Sequence, residues 1–257
     1  DKQSVASTLL SEAALNTSSQ EYLTIDQQLS LEDAPIFVGR VNTPLPSLAQ
    51  FPVHFQSRNN QLAYLAYQQI ADSVATLTHT LSTDRIAVVI GTSTSGILEG
   101  ENARKQRVVD GAMPAEFNYA IQEMSAPAEF IAEVVGAKGP CYSISTACSS
   151  SAKALVSAQA LLASGLADVV ICGGVDSLSG LPINGFQALE SMAKTLCQPF
   201  AKGRDGINIG EGAALFVLSK QQPTCNAIQL LGSGESSDAY HVSAPEPSGK
   251  GAISAMT

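Results

Sequence analysis

Apolar positions are spaced unevenly along the chain, and the spacing divides it into an irregular opening and a patterned remainder. Residues 1–56 are rich in Ser, Thr and Gln, are broken by Pro35, Pro44, Pro46 and Pro52, and show no period. Over 58–80, Leu62, Leu65, Ala66, Ile70 and Val74 recur at helical spacing, which predicts a helix with one buried face. The run Arg85-Ile86-Ala87-Val88-Val89-Ile90-Gly91 is continuous rather than alternating, as in a strand covered on both sides. A short strand follows at Tyr142–Ser145, then a helix carrying Ala152, Leu155, Val156 and Leu162, stopped by Gly165. Asp168-Val169-Val170-Ile171-Cys172-Gly173-Gly174 is a second buried strand. Ala213–Leu218 and Ala227–Leu231 predict two more, joined by a turn over Lys220–Asn226 that contains Pro223. Strands alternating with helices make this a layered α/β domain with a mixed sheet. At the far end, Gly249–Thr257 predicts the first turns of a helix. Together with the missing initiator Met, this predicts a trimmed chain.

Composition narrows the function classes. The 257 residues are 45% hydrophobic and 14% charged, which excludes a disordered chain. A net charge of −9 argues against nucleic acid or an anionic membrane as the main partner. No apolar run approaches the ~18 residues of a membrane span, and the first residues lack the apolar core of a signal peptide. The five cysteines form no CxxC pair and have no neighbouring His, so neither a zinc site nor a disulfide framework is expected. A reducing, cytoplasmic setting is the corresponding expectation.

The most informative stretch runs from Gly139 to Ser151. Cys148 falls between a strand end and a helix start, followed by Ser149, Ser150 and Ser151. Unpaired N–H groups and the positive helix end there favour thiolate, drawing a cysteine below its free pKa of about 8.5. One reading is a nucleophile that accepts an acyl group, with a backbone N–H as oxyanion donor. The other is a buried structural cysteine in a tight turn, which is the default for Cys141, Cys172, Cys197 and Cys225.

Thr146-Ala147-Cys148-Ser149-Ser150-Ser151 resembles the nucleophile motif of the β-ketoacyl-acyl-carrier-protein synthases, the elongating condensing enzymes of the thiolase superfamily. The likeness continues through Ala167–Asp176, Gln198-Pro199-Phe200, Arg204–Ala213, Ser237-Asp238-Ala239-Tyr240-His241 and Pro245, spanning roughly residues 57 to 257. It implies a thiolase-like layered α-β-α-β-α fold of two similar halves, acting as a dimer. This chain would be mainly the amino-terminal half, without its first strand, and residues 240–257 would begin the carboxyl-terminal half. Cys148 would take an acyl chain from acyl carrier protein as a thioester, and a carbanion from decarboxylated malonyl carrier protein would attack it. No cofactor or metal is implied, because the substrates ride on the carrier's phosphopantetheine. Partners would be acyl carrier protein and a second synthase subunit, identical or paralogous.

The family's two histidines come from its second half, one within His-Gly-Thr-Gly-Thr, and that motif is absent from these residues. None of the three histidines matches that motif: His54 lies in the irregular opening, His79 reads as a solvated helix-end residue, and His241 matches a family position near the junction of the halves, architectural or at the pocket edge. The resemblance also places Phe186 and Ser243 at the acyl pocket, and Met113 and Phe117 along the acyl tunnel. Core or interface packing is the competing account of Phe186, Met113 and Phe117. Gly91-Thr92-Ser93-Thr94-Ser95-Gly96 lacks GxSxG spacing and reads as a small-residue turn lining the dimer or substrate channel. The glycines around Arg204-Asp205 and Glu211 lack the ending of a phosphate loop and read as structural turns. Arg58, Lys105, Arg107 and Lys138 are candidates to dock an acidic carrier protein. A non-catalytic partner subunit that sets chain length is the alternative function, against which the presence of Cys148 argues; a hydrolase lacks a convincing base.

Overall fold

The computed structural model describes residues 23–31, 35–221, 228–241 and 244–257. These divide after Lys220 into two units. In the first, two short strands, β1 (Leu23–Asp26) and β2 (Ile36–Gly39), precede two helices, α1 (Arg58–Gln68) and α2 (Ala71–Thr78). The central elements follow: β3 (Ile86–Gly91), α3 (Ile97–Asp110), α4 (Ala126–Val135), β4 (Cys141–Ile144), α5 (Ser150–Ala163) and β5 (Val169–Asp176). Last come α6 (Gly180–Ala188), β6 (Ile209–Gly210) and β7 (Gly212–Ser219).

The main sheet has the order β4-β3-β5-β7, and only β7 runs antiparallel to its neighbour. Its continuous apolar strands are explained by cover on both faces. Val88, Ile90 and Ile171 face Leu62, Val74, Phe130 and Ile131 of α1, α2 and α4, and Ile70 between α1 and α2. Ala87, Val89, Val170 and Cys172 face α5 on the other side. Each fully buried Val or Ile contributes roughly 1.5–3 kcal/mol, so β3, buried along all six residues, anchors the unit. This is the mixed, layered α/β arrangement that the pattern predicts.

Four details differ from the sequence expectations. The helix over 58–80 is two helices, because Gln69 and Ile70 donate to carbonyls three residues back and tighten the turn between them. The buried stripe of α5 is Ala154, Ala158, Leu161 and Leu162, whereas Leu155 and Val156 are half-buried and Ala152 is exposed. Alanines let that helix approach the sheet closely, so its inner face carries little of the large-residue signal. The opening segment is not wholly irregular: β1 pairs antiparallel with β2, and β2 pairs parallel with β6. Ile36 and Val38 turn inward onto Leu178 and Ile183, and Pro35 and Pro44 flank the strand instead of interrupting it. Finally, Ile228–Leu231 form no strand, and Ile228 is fully exposed; an apolar run becomes a strand only where a neighbour supplies hydrogen bonds. Ala227 and most of the predicted 220–226 turn lie outside the described residues.

The second unit contains α7 (Lys250–Met256), a helix where the pattern predicts one. Ser236 Oγ donates to the Gly251 carbonyl, and the Glu246 amide donates to Asp238 Oδ2. Among the described residues, no helix is long and apolar enough to cross a membrane.

Candidate active site

Parallel strands bring their carboxyl ends to one edge of a sheet, and the loops beyond those ends are where α/β folds place their chemistry. Here Gly91, Ile144 and Gly174 stand side by side in register. The loops leaving β3 and β4 carry Ser93 and Cys148, and Asp176 closes β5 beside them.

The Thr92 amide donates to the Ile144 carbonyl, extending the ladder one residue past β3. Beyond β4, Ala147 adopts a left-handed backbone with φ +51, and residues 147–149 form one 3-10 turn leading into α5. A left-handed conformation costs a residue with a Cβ roughly 1–2 kcal/mol, so neighbouring contacts must hold it. The Ala147 carbonyl accepts from Ser150 Oγ at 2.7 Å and from Ser93 Oγ at 3.3 Å. Thr146 N–H donates to Ser150 Oγ, while Ser149 Oγ donates to the Thr146 carbonyl and Oγ1. Thus Ser149 and Ser150 fold back to fix the turn. Beneath it, Gly91 is required: a Cβ there would stand 2.5 Å from the Ser150 carbonyl carbon and the Ser151 nitrogen.

The turn leaves Cys148 exposed, against the alternative of a buried structural cysteine. Cys172 does fit that description: it is buried in β5, and desolvation pushes its thiol up to about 12. Cys141 departs from that default: it is exposed at the start of β4, yet desolvation of its thiol and then the Glu129 carboxylate push that thiol up to about 11.

Asp176 is the residue that sequence reasoning missed. Its Oδ1 accepts from Ser93 N–H at 2.7 Å, from Thr94 N–H and Oγ1 at 3.0 Å each, and from Thr92 Oγ1 at 3.1 Å. The available signal was a carboxylate closing an otherwise apolar strand, in a chain with a hydroxyl-rich loop after another strand. That loop is therefore a fixed bracket. Ser95 Oγ, at its far end, donates to the Glu123 carbonyl at 2.6 Å.

The remaining candidates are dispersed. Met113 (39% exposed) and half-buried Phe117 lie between α3 and a 3-10 turn over Tyr119–Gln122, whose Ile121 is buried. Phe186 is half-buried on α6, the helix that leaves the β5 end. Two amides at the start of that helix, Gly180 and Leu181, donate to Glu101 of α3. Ser243 and Cys225 lie outside the described residues. His79 caps the exposed end of α2, and His54 packs on Phe55 at a centroid distance of 4.2 Å. His241 lies in the second unit, where its Nδ1 accepts the Ala244 amide. Among the described residues, no three His, Cys, Asp or Glu side chains are grouped to hold a metal.

Arg58 is corrected as a docking residue, because it is committed internally. Its guanidinium grips Glu211 through Nε and Nη2, and the Glu211 carboxylate, wholly buried, also accepts the Val41 and Leu178 amides. Burial pushes that carboxyl up, but Arg58 and the two amides outweigh it and hold it below the usual range. Glu211 is thus the structural tie that the glycine-flanked motif was expected to be. Lys105, Arg107 and Lys138 are exposed.

Comparison with known proteins follows the same lines. The family model of the β-ketoacyl synthase N-terminal domain matches residues 47–223. A 3-oxoacyl-(acyl-carrier-protein) synthase 2 from Staphylococcus aureus is 34% identical over 187 residues, 67% of this chain and 46% of the relative. Nodulation protein E of Rhizobium meliloti is 33% identical over 168 residues, 63% of this chain and 42% of that protein. Among solved structures, a chain of the complex between the ketosynthase ApeO and its chain length factor ApeC, from Xenorhabdus doucetiae, superposes with a TM-score of 0.84. It is 40% identical and covers 91% of this chain and 58% of that chain. The chain spans less than half the length of these curated relatives.

Proposed function

The chain belongs to the β-ketoacyl synthase family through its N-terminal domain, and on that footing we propose that it supplies the acyl-accepting half of a 3-oxoacyl-acyl-carrier-protein synthase. The observation that carries the reading is Cys148, exposed on a hydrogen-bonded, left-handed strand-to-helix turn. Backbone strain held by surrounding contacts is a mark of functional sites.

In the first step the Cys148 thiolate attacks the carbonyl carbon of a carrier-bound acyl thioester. The new C–S bond forms as the bond to the carrier's phosphopantetheine sulfur breaks, and that sulfur leaves as a thiolate, which takes its proton from water. Backbone N–H groups at the start of α5 stabilise the oxyanion between the two. In the second step malonyl carrier protein loses CO2, and its carbanion attacks the Cys148 thioester. This forms the C–C bond of the β-ketoacyl product and returns Cys148 to thiolate. Donors for the malonyl oxygens belong to the whole protein, since these residues hold no His-Gly-Thr-Gly-Thr motif. The chemistry needs no resident cofactor or metal, and its carrier-bound substrates point to a cytoplasmic setting.

Partners are acyl carrier protein and a second synthase subunit, the same chain or a paralogue. A ketosynthase–chain length factor complex among the similar structures supports the paralogue. It also supports the second reading, a non-catalytic chain-length subunit. Intact mass of the full-length protein, before and after incubation with an acyl-thioester donor, separates them. An acyl adduct mapped to Cys148, and absent in Cys148→Ala, supports the synthase; no adduct on a free Cys148 thiol supports the partner subunit.

A further inference from the structure

The carboxylate that closes β5 touches four donors of one loop, and that loop touches the nucleophile turn. We propose that Asp176 is a positioning residue for Cys148, acting through Ser93; the proposal rests on Cys148 being the acyl acceptor.

A single oxygen, Asp176 Oδ1, gathers the Ser93 and Thr94 amides and the hydroxyls of Thr92 and Thr94. Hydrogen bonds to an ionised acceptor are about twice as strong as neutral ones, so the carboxylate sets the loop's shape. Thr92 Oγ1, while donating to Asp176, accepts the Ser95 amide at 3.0 Å, and Ser95 itself turns left-handed with φ 44. A loop so fixed presents Ser93 Oγ to the Ala147 carbonyl. That carbonyl belongs to the left-handed residue immediately before Cys148. The loop's other end holds the Glu123 carbonyl, next to the segment of Phe117 and Ile121. Asp176 therefore braces the turn that aims the sulfur against the segment read as lining the acyl chain. Acyl transfer requires the sulfur, the carbonyl carbon and the oxyanion donors to line up, and an error of about 1 Å costs as much as a hundredfold in rate. Alkylation by a small reagent needs only an accessible thiolate.

The test compares two rates at Cys148 in the full-length protein. One is acylation by an acyl-N-acetylcysteamine thioester and the other is alkylation by iodoacetamide, both followed by intact mass. Asp176→Ala is expected to lower acylation at least about tenfold, while alkylation stays within about threefold. Asp176→Asn, which keeps an acceptor oxygen without the charge, falls between Asp176→Ala and wild type. Ser93→Ala lowers the acylation-to-alkylation ratio as well. The double variant S93A/D176A is no worse than D176A alone, because both break one chain of contacts.

Wild-type acylation in Asp176→Ala, equal loss of both rates, or multiplicative losses in the double variant would each overturn the proposal. If Asp176→Ala does not fold, an unchanged ratio in Ser93→Ala overturns it equally. A wild-type protein that is alkylated at Cys148 yet never acylated gives a different result: it removes the acyl-acceptor reading, and this proposal with it.

Discussion

A thiol reacts in proportion to its thiolate fraction and its access to the reagent. Cys172 is buried with a thiol near 12 and Cys141 sits near 11, so at pH 8 about one Cys141 in a thousand is ionised. Limited iodoacetamide at pH 8 is therefore expected to label Cys148 ahead of buried Cys172 and ahead of Cys141, which is exposed too but has its thiol pushed up, read by peptide mapping. Cys141 labelling should rise about tenfold per pH unit up to its pKa. The Arg58–Glu211 pair makes a second residue-scale prediction. The folded-state pKa of Glu211 lies below its unfolded value, so its contribution is complete above the unfolded carboxyl range of about 4.3. That contribution is lost as pH falls through the depressed value. Glu211→Gln strands a guanidinium that is only 24% exposed, and should destabilise the protein at pH 7 by about 3–5 kcal/mol. In thermal melts, the variant should also show a smaller stability loss than wild type on acidification. Neither side chain announced the pair, because 153 residues separate them.

Between elements, the close approach of α5 to β3 sets where the sulfur stands. Gly91→Ala places a methyl 2.5 Å from the backbone of Ser150 and Ser151, which side-chain rotation cannot relieve. The expected outcome is an overpacking cost of about 1–3 kcal/mol in denaturant titration. Cys148 acylation should drop by more than about tenfold, since the turn itself moves. Strands β3 and β5 were legible because burial on both faces requires an unbroken apolar run. The inner face of α5 was not, because Ala154 and Ala158 earn their place by being small. The pair β1 and β2 escaped notice for a related reason: four-residue strands are too short to establish an alternation.

For the molecule as a whole, the proposed docking of an acidic carrier protein has to work against a chain of net −9. With Arg58 occupied, the exposed docking candidates are Lys105, Arg107 and Lys138, and Lys105 and Arg107 stand together on α3. Replacing both with Glu should raise KM for the carrier-bound donor about tenfold and leave kcat within about twofold. The N-acetylcysteamine thioester, which has no carrier to dock, should be used equally well by variant and wild type. Added salt should weaken wild-type use of the carrier-bound donor in the same way.

The sequence by itself determined the α/β class, the central strands, the placing of Cys148 between strand and helix, and, by its motifs, the family. These are local properties: periodicity, turn residues and contiguous motifs are written in neighbouring positions. Tertiary structure alone decided that Ala147 turns left-handed, that Arg58 pairs with Glu211, and that Asp176 reaches across 83 residues to Ser93. Such contacts join side chains whose sequence separation carries no period, and they exist only once the sheet has set its strand ends in register.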